Sequence, residues 1–204
     1  MKPYEIEKLS FKIIDSEAGD HEFEPVEWRI VQRMIHTTAD FEYIKNVRFH
    51  PKAINAGIKA IQRGCRIITD TNMAKTGIRK GEVSLFKCKV YCFIGDSDIA
   101  EKSKKEGITR AEASVNKAFD TDQDGIYVVG NAPTALFRLI KLVKEKKAVP
   151  DLVIGVPVGF VNAKESKDAL IELDIPYISN VGRKGGSNLA ASIVNALLII
   201  AAEL

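Results

Sequence analysis

Five short runs of β-branched and aliphatic residues constrain this chain more than any other feature. They are CRIIT (65–69), KVYCFI (89–94), IYVV (126–129), LVIGV (152–156) and PYIS (176–179). Each is short and too uniformly apolar to alternate between core and solvent, so each reads as a strand buried on both faces, as in a parallel sheet. Helical patterns lie between and after them, near 98–106, 109–119, 132–147, 163–173 and 187–203. Parallel neighbours need such crossovers, and crossovers are right-handed. The alternation therefore predicts an α/β fold: a doubly wound α/β sandwich around a mainly parallel, five-stranded sheet. Two extra N-terminal helices, near 3–18 and 25–39, precede the first strand and are joined by an acidic loop at 19–24. They are the natural candidates for a cap or a subunit contact.

With 204 residues, 46% of them hydrophobic, the chain can bury one core of ordinary domain size, and residues 1–204 read as a single domain. The balance of 30 basic and 27 acidic residues gives a net charge of +3, mildly favourable for anionic partners and too weak to argue for nucleic acid. The basic runs KSKK (102–105) and KLVKEKK (141–147) lack interleaved aromatics and read as solvated helix faces. No secretory signal is expected from the N-terminus. The most apolar run, IVNALLIIAA (193–202), is about half of the ~20 residues a membrane span needs, so it reads as a buried terminal helix. Cys88 and Cys92 lie four apart on one predicted strand, ~13 Å at ~3.3 Å per residue, which excludes a disulfide between them. Cys65 has no evident partner in the sequence, and three unpaired cysteines suggest a reducing cytoplasm. The absence of CxxC, HxxH and HExxH motifs argues against a protein-borne metal site.

In open α/β sheets, ligands bind beyond the carboxyl ends of the strands. The loops expected there are TDTNMAKTG (69–77), GDSD (95–98), GNAPTA (130–135), GVPVGF (155–160) and NVGRKGGSN (180–188), all rich in glycine and small polar residues. GNAPTA sets Gly130 at a strand end, Asn131 as a possible N-cap and Pro133 in the first helical turn, a competent anion site that an ordinary strand-to-helix turn would also explain. GRKGGSN joins Arg183 and Lys184 to two glycines and a Ser187 or Asn188 cap, and a solvated turn accounts for it equally well. Asp70, after CRIIT, stands where many α/β proteins keep a catalytic carboxylate, or it caps a helix starting near Asn72. Neither GxGxxG nor GxxxxGK[ST] occurs, so a nucleotide-binding reading lacks its specific signal.

On the second helix, Val26, Ile30, Val31, Met34, Ile35 and Thr38 gather on one side at 100° per residue. His36 falls nearly opposite, beside Arg29, Gln32 and Arg33, so it faces solvent, a ligand or another subunit.

Six segments, MIHTTADF (34–41), ITDTNMAKTGI (68–78), GITRAEASV (107–115), GNAPTALFRLIK (130–141), GVPVGFVNAKESKDAL (155–170) and GRKGGSNLAASIVNALL (182–198), resemble in order and spacing the precorrin-8X methylmutases of cobalamin biosynthesis. The resemblance implies a flavodoxin-like α/β/α sandwich, a homodimer with sites near the subunit interface, and migration of a methyl group from C11 to C12 of a corrin precursor. No cofactor is implied, because any cobalt belongs to the substrate macrocycle. The family's catalytic histidine aligns with His36, and protonating a ring C nitrogen would promote the shift; histidine is the side chain suited to such a proton near neutrality. The substrate is a flat apolar ring bearing many carboxylates. Ser10 and Arg110 match substrate-contacting positions, and Asp70, Met73, Gly130, Asn131, Lys167 and Arg183 are further substrate-binding candidates by motif position. HTTADF and GNAPTALFR look more like the cobalt-containing branch. Asn162 departs from the pattern where a glycine is expected after GFV. A corrinoid-binding or carrier protein without chemistry is the rival reading.

Overall fold

The computed structural model describes residues 2–121 and 124–204. Helices α1 (Pro3–Ala18) and α2 (Pro25–Thr38) open the chain. Proline begins each, where a missing N–H costs little. A glutamate two residues on closes back on the entry, with Lys2 N–H donating to Glu5 Oε2 at 2.7 Å and Glu24 N–H to Glu27 Oε2 at 3.1 Å.

The five predicted runs are strands: β2 (Arg66–Thr69), β3 (Lys89–Tyr91), β4 (Ile126–Val129), β5 (Leu152–Gly155) and β6 (Tyr177–Asn180). A sixth, β1 (Val47–Phe49), corrects the expected five and pairs antiparallel with β6. Three residues, VRF, are too few to show a period, so the sequence hid it. The helices are α3 (Tyr43–Asn46), α4 (Ala53–Gln62), α5 (Asn72–Gly77), α6 (Lys80–Leu85), α7 (Ser97–Glu106), α8 (Arg110–Thr121), α9 (Pro133–Lys144), α10 (Ala163–Ile171) and α11 (Ser187–Glu203).

The sheet order is β1-β6-β5-β4-β2-β3. Strands β2 to β6 are parallel, and taken alone they run in the flavodoxin-like order 2-1-3-4-5. The direction of winding reverses between β2 and β4, which makes that crevice the topological switch point.

Strand side chains alternate between two cores. Ile67, Ile126, Val128, Leu152, Ile154 and Ile178 face the layer holding α2, α4 and α11. Ile68, Tyr127, Val129, Val153 and Tyr177 face the layer of α8, α9 and α10. Helix α11 is buried along most of its 17 residues and packs on α2, α4, α5 and the central strands. Among the described residues no helix is long and apolar enough to cross a membrane.

The expected stripe of α2 holds at Ile30, Val31, Met34 and Ile35, all buried, whereas Val26 in the first turn is exposed. Cys65, which looked unpartnered, faces Cys88 across the β2–β3 pair, near enough for each thiol to shift the other's protonation. The cause is a register between strands that no local pattern reports.

Candidate active site

Asp70 follows β2 directly, and its buried carboxylate reaches across the switch point. Oδ1 accepts from Gly130 N–H at 3.0 Å, while Oδ2 accepts from Asn131 N–H at 2.7 Å and Ala132 N–H at 2.8 Å. These are the amides of the loop that leads into α9, so Asp70 holds that loop from another strand, and the expected Asn131 cap is not formed, the N-cap position falling at Ala132 with no side-chain cap. Burial pushes the Asp70 carboxyl above its ordinary value, and the three amides pull against that rise. Helix α5 is capped instead by Thr71, whose Oγ1 accepts from Ala74 N–H at 3.1 Å and pairs with Ser187 Oγ at 2.7 Å. Gly130 permits this closure, because a Cβ there would lie 2.8 Å from Ser187 Cα. The loops after β2, β4 and β6 are thus riveted into one floor.

A second knot holds the neighbouring wall. Lys167 is fully buried, and its ammonium donates to Lys184 O at 2.6 Å, with Asn180 Oδ1 at 3.4 Å. Asn180 Nδ2 donates to the same carbonyl at 2.8 Å. Burial lowers the Lys167 amine to about 8. The Lys184 side chain turns outward to Asp40 at 2.6 Å and Glu42 at 3.0 Å. Burial pushes the Asp40 carboxyl up, but the Lys184 ammonium and the Glu42 amide pull it down further, below its ordinary value. Gly159 N–H donates to Arg183 O at 3.1 Å, and the Arg183 guanidinium lies 5.5 Å over the Phe160 ring, which is 85% exposed. Asn162, the departure from the family pattern, sits at φ 62°. Asparagine tolerates that left-handed conformation better than most residues, so it keeps the backbone a glycine would give.

His36 is exposed on the last turn of α2. Its ring meets Phe11 of α1 edge-on at 5.1 Å, and Arg33 covers Phe11 at 5.2 Å while pairing with Glu7 at 3.0 Å. Ser10, beside Phe11, donates its hydroxyl to Ile6 O at 2.9 Å. Thr38 turns inward to Met34 O at 2.8 Å, and Thr37 is exposed. The helix ends at Ala39 in the left-handed conformation, φ 53°, followed by Asp40, which accepts from Glu42 N–H at 3.0 Å. Through Asp40 and Lys184, the end of α2 that bears His36 is tied to the β6–α11 loop.

Arg110 is exposed at the start of α8. Its neighbour Thr109 joins Thr134 in the first turn of α9 at 3.1 Å, which brings Arg110 to the switch-point side. Met73, 70% exposed, opens α5 on the same side. Of the nine predicted site residues, Asp70 and Lys167 are engaged inside the fold, and the amides of Gly130 and Asn131 are taken by Asp70. His36, Met73, Arg110, the Asn131 side chain and Arg183 are exposed at the carboxyl edge of the sheet or on elements tied to it, with Ser10 half-buried beside His36. Residues the sequence reading passed over include Phe11, Asp40 and Phe160. Phe160 carried a signal: a large aromatic in a loop at a strand end. The rim joins cations, exposed apolar side chains and one imidazole, suiting a large, flat, anionic ligand. Among the described residues no cluster of three or more His, Cys, Asp or Glu side chains could hold a metal ion.

Asp70→Asn replaces an acceptor with an NH2 group facing amide donors, and a loss of about 1–3 kcal/mol in urea unfolding is expected. Lys167 sets a pH dependence. Its folded pKa of about 8 lies below the unfolded value, near 10.4, so below about pH 8 both states hold the proton and the burial penalty is fully felt. As pH rises between those values the unfolded state binds more protons, and stability climbs. Denaturation at about pH 7.5 and about pH 9.5 is expected to show the wild type gaining stability relative to Lys167→Met at the higher pH.

The precorrin-8X methylmutase family model matches residues 5–200. A cobalt-precorrin-8 methylmutase of Leptospira interrogans is 46% identical, over 97% of this chain and 94% of that protein. One from Methanocaldococcus jannaschii is 50% identical, over 89% of this chain and 83% of that protein. The crystal structure of a precorrin-8X methylmutase from Thermus thermophilus superposes with a TM-score of 0.90 at 44% identity, covering 97% of this chain and 98% of that one. The chain belongs to the precorrin-8X methylmutase family, isomerases of cobalamin biosynthesis.

Proposed function

We propose that this enzyme moves a methyl group from C11 to C12 of cobalt-precorrin-8, giving cobyrinate, with His36 as proton donor and acceptor. The observation that carries this reading is an exposed histidine held edge-on to Phe11, on a helix end roped to the loop that bears Arg183. Protonation of a ring C nitrogen by the imidazole draws electron density from the macrocycle and favours migration; return of the proton to His36 closes the cycle. No protein-bound cofactor is required, and the cobalt travels in the substrate. The names of the Leptospira and Methanocaldococcus relatives support the cobalt-containing substrate. Arg110 and Arg183 are suited to bidentate grips on the ring's carboxylates, and Met73 and Phe160 to contact with its face. Ser10 and the Asn131 side chain add polar contacts, while Asp70, Gly130 and Lys167 support the site by holding its floor and wall. Three free thiols favour a reducing, cytoplasmic setting.

The same reading includes a homodimer. Ile6, Leu9 and Ile13 form an exposed stripe on α1, at 52%, 46% and 47%. They stand at i, i+3 and i+7, one face of the helix that also supplies Ser10 and Phe11. The cavity beside Phe11, about 150 Å³, is too small to enclose a tetrapyrrole, and a second copy against α1 would add the missing wall.

His36→Ala is expected to bind the tetrapyrrole within a few-fold of wild type while methyl migration falls by ~10²–10⁴. The visible spectrum of the chromophore is the readout, since an isomerisation leaves mass unchanged; near wild-type turnover would remove His36 from the mechanism. Leu9→Asp combined with Ile13→Asp is expected to give a monomer by light scattering, and an unchanged mass in solution would move the interface elsewhere.

A further inference from the structure

Cys65 and Cys88 stand at the amino ends of β2 and β3, at the opposite edge of the sheet from the site. The register that pairs Arg66 with Lys89 sets Cys65 beside Cys88, and Lys89 N–H donates to Cys65 O at 3.3 Å. Paired positions on neighbouring strands project to the same face. Both thiols accordingly lie in the core layer of α2, α4 and α11, facing each other, and Cys88 Sγ donates to Ile61 O at 3.5 Å. Neighbouring strands are about 4.8 Å apart, inside the roughly 4.4–6.8 Å between Cα atoms that a disulfide bridges. Both residues are nearly buried, at 7% and 6% exposure, so a small oxidant suits them better than a bulky one.

We propose that Cys65 and Cys88 are a redox modification site, converted by hydrogen peroxide into an intramolecular disulfide that ties the edge strand β3 to β2. The neighbouring Cys65 thiol lowers the Cys88 thiol below its ordinary value, and the same pairing, with burial, raises Cys65. Cys88 is therefore the attacking thiolate. Its sulfur bonds to one peroxide oxygen, the O–O bond breaks, and the other oxygen leaves as water after taking up a proton. The Cys65 sulfur then attacks the Cys88 sulfenic acid, the S–S bond forms, and the hydroxyl departs as a second water with the Cys65 proton. Two thiols and one peroxide give one disulfide and two waters, with two electrons passing from sulfur to oxygen. The site is independent of which corrinoid the enzyme uses.

The full chain, folded and reduced, is treated with a small excess of hydrogen peroxide at neutral pH. It is then alkylated in denaturant and analysed by intact mass and peptide mapping. The expected product has lost about 2 Da, keeps one alkylatable thiol at Cys92, yields a linked Cys65–Cys88 peptide and reverts with dithiothreitol. In Cys65→Ser, Cys88 is expected to stop at the sulfenic acid, trapped by dimedone. Oxygen added at Cys92 while Cys65 and Cys88 both remain alkylatable would overturn the proposal, as would over-oxidation of Cys88 without a cross-link. Should Cys65→Ser fail to fold, the wild-type peptide map alone decides.

Discussion

The carboxylate of Asp70 lies where β2 and β4 part, and the three amides leading into α9 converge on it. In many open α/β folds such amides are left for a ligand's phosphate. Here they are spent internally. The switch point becomes a rigid floor, closed further by Thr71 against Ser187 and by Gly130 against the start of α11. An anion arriving at this edge finds those three amides already taken, and only side chains remain to meet it.

The wall beside that floor uses a buried cation in place of a buried anion. Lys167 spends its donors on a loop carbonyl and an amide, and the outward side chain of the same loop residue, Lys184, secures Asp40. One residue therefore connects the interior of the sandwich to the helix end that carries His36. The His36 imidazole is exposed, while the helix end beneath it is anchored through Asp40 and Lys184. Precision at a surface residue is obtained by fixing the element beneath it.

How much of this was legible in the sequence depends on the range of the interaction. The five parallel strands and the long helices announce themselves by local pattern, and His36 was placed opposite the apolar stripe of α2 from spacing alone. Strand β1 was too short to carry a period. Asp70 stands at a strand end as expected, yet its partners lie about sixty residues away, so its hold on the loop before α9, in place of a cap on α5, could not be read from neighbours. Lys167 stood among the substrate-binding candidates and instead is buried, because nothing local marks a lysine that faces inward. Asn162 looked like a departure from pattern, and its φ explains why it is compatible with the same turn.

The two borders of the sheet are alike. Strands β1 and β3 are three residues each, and each exposes a cation, Arg48 in one and Lys89 in the other. Short, charged borders resist the addition of a further strand from another molecule. A sheet so terminated cannot readily grow sideways into a continuous assembly. The fold thereby guards its backbone against association at both borders, whatever its helical faces meet.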